Sequence, residues 1–323
     1  MLPGGAKFDR LSAIAPQLRQ SKFALNTLRR VSLVYITPDH IIRVLLPIRS
    51  FILDNHKLPN PHLQRLYQCY YELAKWSSRG GRPGFLQIKQ AMANEEANMG
   101  YILLDALEQE DPRAALVASK YYTWFLYGHI PRTEVILEAI KTSERLGYLD
   151  LLSDFLSVKG NIKHVWGHYD IAIHDVTRAK QLYEDLGVQL GVADCMKKLG
   201  DLLYLLFRHD EARVLLQDSK TKFEDSGDAL GVAQCLQSLG EIFRMQHQND
   251  EAQAFIQDAK AKFAVIGRAV GVAECLMSLG NILCIQHQYD KARASLQDAK
   301  TKFEDIGNAL GMPQGFYEGW LRA

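Results

Sequence analysis

Residues 191–310 repeat one sequence pattern three times at a period of about 40 residues. The second and third copies, which begin GVAQCLQSLGEIF and GVAECLMSLGNIL, agree at roughly 24 positions without a gap. A fixed period between 20 and 50 residues is typical of solenoid proteins, in which each unit buries its apolar face only by stacking on its neighbours. The chain is therefore expected to consist mainly of stacked repeats.

Each copy contains two helical patterns separated by a polar break. In the second copy, apolar residues recur at spacings of three and four over 232–243 and again over 252–266. Asp250 is expected to cap the second helix, and Gly267 to end it in a left-handed conformation. Glycine recurs at the same repeat position as Gly227 and Gly307. One repeat is thus predicted to be a helix hairpin with the second helix longer than the first.

This hairpin pattern resembles the tetratricopeptide repeat. The resemblance rests in the second copy on Leu236, Leu239, Gly240, Phe243, Ala252, Ile256 and Ala259. It implies a mostly α fold, a right-handed superhelix of helix hairpins. The repeat departs from the usual 34 residues by about six, and it lacks the proline that normally ends the second helix. We attribute both differences to a second helix extended by one to two turns.

The same register extends towards the N-terminus. We predict five tetratricopeptide-like repeats over 111–310, preceded by an irregular first helix hairpin or linker over 61–110. The copy at 111–150 is unusually aromatic over 121–127, which favours packing at a junction over a ligand site. Residues 311–323 begin another copy that breaks off, and are expected to form a C-terminal cap or a truncated repeat.

Residues 1–60 follow a different pattern. Helical spacing over 10–18 and 21–28 gives way to alternation over 31–35, a turn signal at 37–40 and a strand over 41–45. These features predict a small winged-helix-like α+β segment.

The same segment resembles the winged-helix part of fungal STAND (NLR-like) nucleotide-binding proteins. The resemblance is carried by LPGGAKFDRL near the start, LRRVSLVYI, and RVLLPIRSFI at 43–52, while EEANMGYILLDAL resembles the linker that precedes the repeats. It implies that the chain is the sensor part of a STAND-type signalling protein, or a stand-alone relative.

A STAND NTPase needs a P-loop, GxxxxGK[ST], to hold the nucleotide phosphates. This sequence has none, and Gly80–Gly84 lacks the Lys-Ser/Thr pair and is expected to be a loop. The resemblance therefore covers the winged helix and the repeats without the NTPase domain. An alternative is that the chain is a fragment or subunit of an NTPase whose nucleotide-binding domain is missing or supplied in trans. A nucleotide-dependent contact through Pro47–Arg49 would support that alternative.

The composition limits the classes of partner that the chain is expected to bind. A net charge of +1 does not indicate the basic surface that binds nucleic acid or an anionic membrane, so neither is expected as a partner. No stretch of 18 apolar residues and no secretory signal pattern are present, and the five cysteines form no CxxC pair. Cys195, Cys235 and Cys275 share one repeat position and are expected to be core residues with free thiols. A cytoplasmic location is expected.

The sequence offers no constellation of catalytic residues. HExxH, GxSxG and paired CxxC motifs are absent. His164, His168, His174 and Asp170 are close in sequence, but their spacing straddles a helix bend, and His247 and His287 are separated by a whole repeat. We therefore expect no metal, no cofactor and no enzymatic activity.

The tetratricopeptide resemblance implies a concave groove lined by the first helix of each repeat. The corresponding positions are spaced 2, 5, 9 and 12 and form one polar helix face. The groove residues are Asp154, Ser157, Asn161 and His164; Asp194, Lys197, Asp201 and Tyr204; Gln234, Gln237, Glu241 and Arg244; and Glu274, Met277, Asn281 and Cys284. The solvent-exposed face of any amphipathic helix is also polar.

The favoured function is a non-enzymatic scaffold that binds a peptide or a protein in this groove. Because the groove mixes both charges, it lacks the basic run expected for an acidic C-terminal peptide. A third hypothesis is a self-assembling structural array, which would form concentration-dependent oligomers.

Leu239→Asp is predicted to unfold at least its own repeat. Leu239 is expected to be fully buried, and a buried carboxylate without a partner costs several kcal/mol. Far-UV circular dichroism and thermal melting check this, and an unchanged helical signal and melting temperature would refute the packing scheme.

Overall fold

The computed structural model describes residues 5–7, 21–44, 60–76, 95–127 and 133–310. Contacts divide the chain into two compact units, residues 1–155 and residues 156–323. The helix expected at 10–18, the loop at 80–84 and the cap or truncated repeat at 311–323 lie outside the described residues.

Unit 1 begins with a small antiparallel sheet. Its strands are β1 (Ala6–Lys7), β2 (Val34–Ile36) and β3 (Ile41–Val44), in the order β1-β3-β2. Helix α1 (Ser21–Arg30) precedes β2. The hairpin turn falls at 37–40, where the Ile41 amide donates to Thr37 Oγ1 at 3.1 Å. A small α+β segment is therefore present, although the alternating pattern over 31–33 forms a turn and not a strand.

Among the described residues of unit 1, four more helices follow, and a fifth crosses the boundary of the unit. They are α2 (Asn60–Trp76), α3 (Glu96–Leu107), α4 (Arg113–Tyr127), α5 (Glu134–Leu146) and α6 (Leu149–Val165).

A buried polar cluster joins the sheet segment of unit 1 to α2 and α3. Asn98 Nδ2 donates to Glu95 Oε2 and to the Gly5 carbonyl, both at 2.7 Å, and the Tyr70 hydroxyl donates to the same Glu95 oxygen at 2.9 Å. Glu95 and Asn98 are 4% and 1% exposed, so these bonds supply partners that water cannot.

Unit 2 is an alternation of helices built from the 40-residue pattern. After the second part of α6 come α7 (Tyr169–Asp185), α8 (Gln189–Leu205), α9 (His209–Asp225), α10 (Ala229–Met245), α11 (Asn249–Ile266), α12 (Ala269–Ile285) and α13 (Tyr289–Leu310). We call α6, α8, α10 and α12 the A helices and α7, α9, α11 and α13 the B helices. Each A helix pairs with the B helix that follows it.

The A and B helices have nearly equal lengths, which corrects the expectation of a longer second helix. Helices α8, α9, α10 and α12 each have 17 residues, and α11 has 18. Only α13, with 22 residues, is clearly longer, because it continues through Gly307, which was expected to end it. The residues added to the usual tetratricopeptide length are therefore shared between both helices.

The helix termini are stabilised differently from what the sequence suggested. Gln248, not Asp250, is the N-cap of α11, and its side chain forms no capping bond. Asp250 lies inside the first turn, where its charge still interacts favourably with the helix dipole. Gly267 adopts the expected left-handed conformation, with φ of 76°.

The bend between A and B helices also requires a left-handed residue. Gly167 fills this position in one hairpin with φ of 73°, whereas Phe207, His247 and His287 adopt φ of 60°, 60° and 61° in the next three. For an L-residue with a β-carbon, this conformation has a steric cost in free energy. The two histidines are exposed, as a polar bend predicts.

The core of unit 2 follows the predicted apolar faces. Leu239, Cys195, Cys235 and Cys275 are all 0% exposed. Burial raises the pKa of the thiols of Cys195 and Cys275 to about 12 and that of Cys235 to about 11. These cysteines are therefore protonated core residues at neutral pH.

One hairpin replaces an apolar contact by an ion pair. Lys159 Nζ lies 2.9 Å from Asp175 Oδ1 between α6 and α7, and Asp175 is 2% exposed. The corresponding residues of the next two hairpins are Leu199 with Leu215 and Leu239 with Phe255. A buried ion pair of this kind contributes less than a well-packed apolar pair of the same volume.

Phe207→Gly is predicted to stabilise unit 2. Glycine adopts the left-handed conformation without the steric cost, about 1 kcal/mol, that a β-carbon imposes, and Phe207 loses little packing because it is 74% exposed. Differential scanning calorimetry should show a melting temperature higher by about 2–4 °C. The matched change Gly167→Ala should lower it, and an unchanged or lower value for Phe207→Gly would contradict the assignment.

Candidate functional site

The groove predicted from the sequence lies on the A helices of unit 2. Consecutive A helices contact one another more extensively than consecutive B helices do, so the A side is the inner side of the unit. Of the predicted groove residues in unit 2, Ser157 is buried and Asn281 and Cys284 are exposed. The half-buried ones are Asn161, His164, Asp194, Lys197, Asp201, Tyr204, Gln234, Gln237, Glu241, Arg244, Glu274 and Met277. Asp154 belongs to unit 1, where it forms an ion pair with Lys120.

A polar network connects α6, α8 and α10 along this surface. Lys197 Nζ lies 2.9 Å from Asp201 Oδ2, and the Ser238 hydroxyl of α10 donates to Asp201 Oδ1 at 2.7 Å. Lys198 Nζ pairs with Asp194 at 2.6 Å and donates to the Ser157 hydroxyl of α6 at 2.6 Å. Polar bonds between neighbouring A helices therefore accompany the apolar contacts of the core.

The network continues from α10 to α12. Arg244 Nε lies 2.8 Å from Glu241 Oε2, and Gln237 Nε2 donates to Glu274 Oε2 at 3.2 Å. Burial raises the pKa of Tyr204, and the Glu241 carboxylate raises it further while Arg244 opposes both. Burial would lower the pKa of Lys197, but the carboxylates of Asp201 and Asp194 outweigh it, and the net pKa is raised.

Most charged groove residues are thus paired with an opposite charge, while Glu274 accepts a hydrogen bond from the Gln237 carboxamide. Most of the opposite charges lie within ion-pair distance and outside full solvent, where such pairs retain more energy than at an open surface. Several predicted groove residues form none of these bonds, among them Asn161, Gln234, Met277 and Asn281. Gln234, Met277 and Asn281 place two carboxamides and a thioether on α10 and α12, where they can contact a ligand.

His164 lies in the groove beside the first of these ion pairs. Burial lowers its pKa, the Asp201 charge raises it, and the Lys197 charge lowers it, with burial the largest effect. The imidazole ring packs against the Tyr169 ring in a tilted arrangement, with 6.2 Å between the ring centroids. The imidazole is therefore held neutral at pH 7.

The three most similar repeats differ from one another at every groove position. The residues are Asp194, Gln234 and Glu274; Lys197, Gln237 and Met277; Asp201, Glu241 and Asn281; and Tyr204, Arg244 and Cys284. No two repeats share a residue at any of these four positions. By contrast, at B-helix positions that are exposed in all three repeats at least two of the copies share a residue, and all three do at Gln217, Gln257 and Gln297. This internal comparison was available in the sequence and singles out the groove.

Within the described part of the chain, no three side chains of His, Cys, Asp or Glu are gathered as ligands of a metal ion. None of the helices described is both long enough and apolar enough to span a membrane.

Comparison with known proteins supports the fold. No protein-family model and no curated protein sequence matches the chain. A Rap protein complexed with Competence and Sporulation Factor is similar in structure, with 12% identity, a TM-score of 0.55, and coverage of 88% of this chain and 74% of that one. The Rap conjugation gene regulator of plasmid pLS20, in complex with the Phr* peptide, shows 15% identity, a TM-score of 0.50 and 77% coverage of each chain.

A STAND protein with a tetratricopeptide repeat sensor, PH0952 from Pyrococcus horikoshii, is similar over 94% of this chain, with 12% identity and a TM-score of 0.51. The chain spans about half the length of that protein, 49%. Another similar structure is aspartyl phosphate phosphatase F from Bacillus subtilis, at 13% identity and a TM-score of 0.50. At these identities the comparisons establish a tetratricopeptide-like helical repeat fold.

Acidification below pH 6.5 is predicted to destabilise unit 2 through His164. Its folded-state pKa lies below the ordinary value of about 6.5, so the unfolded chain binds the proton more tightly and stability falls as pH falls through this range. Melting temperatures measured from about pH 7.5 to about pH 5.5 should fall less steeply in His164→Gln than in wild type. Identical pH profiles of the two proteins would show that His164 is not in the environment described.

Proposed function

We propose that the chain is a non-enzymatic protein-interaction scaffold whose A-helix groove binds an extended peptide or a peptide-like segment of a protein. The observation that carries the proposal is the groove itself, where the polar face is partly buried, most of its charges are paired, and its residues differ among the three most similar repeats. If the groove only faced water, its residues would not be expected to differ between repeats more than the exposed residues of the B helices do.

The chemistry of the groove indicates how a peptide would bind. The carboxamides of Gln234 and Asn281 each offer a donor and an acceptor, which is what the N–H and C=O groups of an extended backbone require. Met277 supplies an adaptable apolar contact for a side chain. The ion pairs around Asp201 and Glu241 form a rigid floor that costs little additional ordering when a ligand binds.

Two comparisons support a peptide or protein ligand. The Rap protein and the pLS20 regulator are both solved with a bound factor or peptide on a helical repeat fold. We further propose that the chain acts as the sensor part of a STAND-type signalling protein, as the fold similarity to the sensor-bearing STAND protein supports. In the alternative, a nucleotide-binding domain acts in trans and this chain is its regulatory subunit. Fold similarity alone does not assign either role.

A selection with a random peptide library displayed on phage tests the groove. The wild-type chain should enrich peptides whose binding is weakened at least about tenfold by the combined change Gln234→Ala, Met277→Ala and Asn281→Ala, since these residues lie outside the ion-pair network and their loss should leave the fold intact. Fluorescence anisotropy of the enriched peptides measures the affinity, and circular dichroism confirms folding.

The matched control is Gln217→Ala, Gln257→Ala and Gln297→Ala, which removes three exposed carboxamides from the B helices. This control should bind the selected peptides as wild type does. Peptides that bind both variants equally well, or that lose binding only in the B-helix control, would place ligand recognition outside the groove. Turnover of an aspartyl phosphate by the purified chain would overturn the non-enzymatic assignment.

A further inference from the structure

Helix α1 is an exposed, basic element of unit 1. Only Leu25 is buried among the side chains described for it, and Phe23 is 70% exposed. Its last turn carries Arg29 and Arg30, both exposed, and the helix contains no acidic residue. An exposed aromatic ring beside arginines is the composition of energetically dominant residues in protein interfaces.

Unit 2 carries an apolar row at the bends that lead from A to B helices. One repeat position is apolar and exposed in all four hairpins, by 59%, 37%, 38% and 43% for Val165, Leu205, Met245 and Ile285. A single exposed apolar residue needs no explanation, but four in register form a continuous strip along one side of the unit.

Carboxylates lie beside this strip, of which Asp210 is paired with Arg213 at 3.3 Å. Gln246, which follows Met245, donates to Asp210 at 3.5 Å, and Gln286, which follows Ile285, donates to Asp250 at 3.0 Å. These bonds place the carboxylates of each hairpin next to the apolar residue of the following hairpin. We call the combined surface the bend edge, formed by Val165, Leu205, Met245, Ile285, Asp210, Asp250, Glu251 and Asp290.

The two surfaces belong to regions of opposite charge. Residues 1–50 contain eight Lys or Arg against two Asp or Glu, whereas residues 156–323 contain nineteen against twenty-two. The net charge of +1 conceals this asymmetry, because residues 51–155 and 156–323 each carry a small negative balance and together they offset most of the positive one. Such an asymmetry favours association between the basic region and an acidic surface.

We propose that copies of this chain associate head to tail, with α1 of one copy docked on the bend edge of another. A ten-residue helix is about 15 Å long, and packed helices lie about 8–10 Å apart, so α1 spans the bends of two neighbouring hairpins. Phe23 then covers the apolar row, and Arg29 and Arg30 meet the carboxylates of Asp250 and Glu251. Because the two surfaces differ, the contact is heterologous and leads to rings or open chains.

Sedimentation velocity of the full chain tests this over about 1 to about 100 μM. The wild-type weight-average mass should rise with concentration, and Arg29→Glu with Arg30→Glu should weaken association by about tenfold or more. The matched control reverses two exposed arginines elsewhere, Arg145→Glu and Arg268→Glu, and should associate as wild type does. Adding Asp250→Lys and Glu251→Lys to the first variant restores opposite charges and should restore association.

Three results would overturn the proposal. The first is a wild-type chain that stays monomeric throughout the range. The second is association that survives the reversal of Arg29 and Arg30 unchanged, or that the compensating reversal does not restore. The third is a monomer that instead binds a DNA duplex through Arg29 and Arg30, which would assign α1 to nucleic acid. The groove variant with Gln234→Ala, Met277→Ala and Asn281→Ala should associate normally, so this test is independent of peptide binding.

Discussion

The structure of unit 2 depends on how closely its helices approach at glycine. Inside a hairpin, a β-carbon at Gly240 would lie 2.6 Å from the Ile256 side chain and 3.3 Å from the Ala252 carbonyl oxygen. Between hairpins, a β-carbon at Gly271 would lie 2.6 Å from the Phe263 ring. Both contacts recur with the period of the repeat, so one set of glycines brings A and B helices together and the other seats each hairpin on the preceding one. Solenoid stability is a sum over such nearest-neighbour contacts. The close contacts at these glycines therefore determine whether the hairpins stack at all.

Close stacking also explains the polar network of the groove. Once neighbouring A helices are in contact, their polar faces are only half exposed, and charged side chains there need partners. The pairs centred on Asp201 and Glu241 meet that need within and between repeats, and they leave Gln234, Met277 and Asn281 outside the network. The groove residues therefore stabilise the stack, and under the proposed function only a minority of them are available to a ligand without disturbing the fold. Experiments that alter Lys197, Glu241 or Arg244 would change stability together with binding.

The bends impose a second constraint on the repeat. Each bend needs a left-handed residue, and three of the four place a phenylalanine or a histidine there instead of glycine. These bends lie beside the exposed apolar row and the carboxylates of the bend edge. The bend edge and the groove adjoin at the end of each A helix, as at Arg244 and Met245, but they share no residue, and neither the proposed self-association nor the proposed peptide binding requires the other.

The sequence by itself determined the helix hairpins, the apolar core around Leu239 and the buried cysteines, because these follow from a 3.6-residue periodicity repeated every 40 residues. It also located the β-hairpin turn at 37–40, whose residues favour a turn locally. Helix lengths and caps were predicted less well, since Asp250 and Gly307 suit a helix end, but α11 begins before Asp250 and α13 continues past Gly307. Only the tertiary structure decided which hydrogen bonds join neighbouring A helices, as between Ser238 and Asp201, that Lys159 and Asp175 replace an apolar contact, and that apolar residues line up along the bends. These features join residues 16 to 41 positions apart on different helices, and no local pattern specifies such distances.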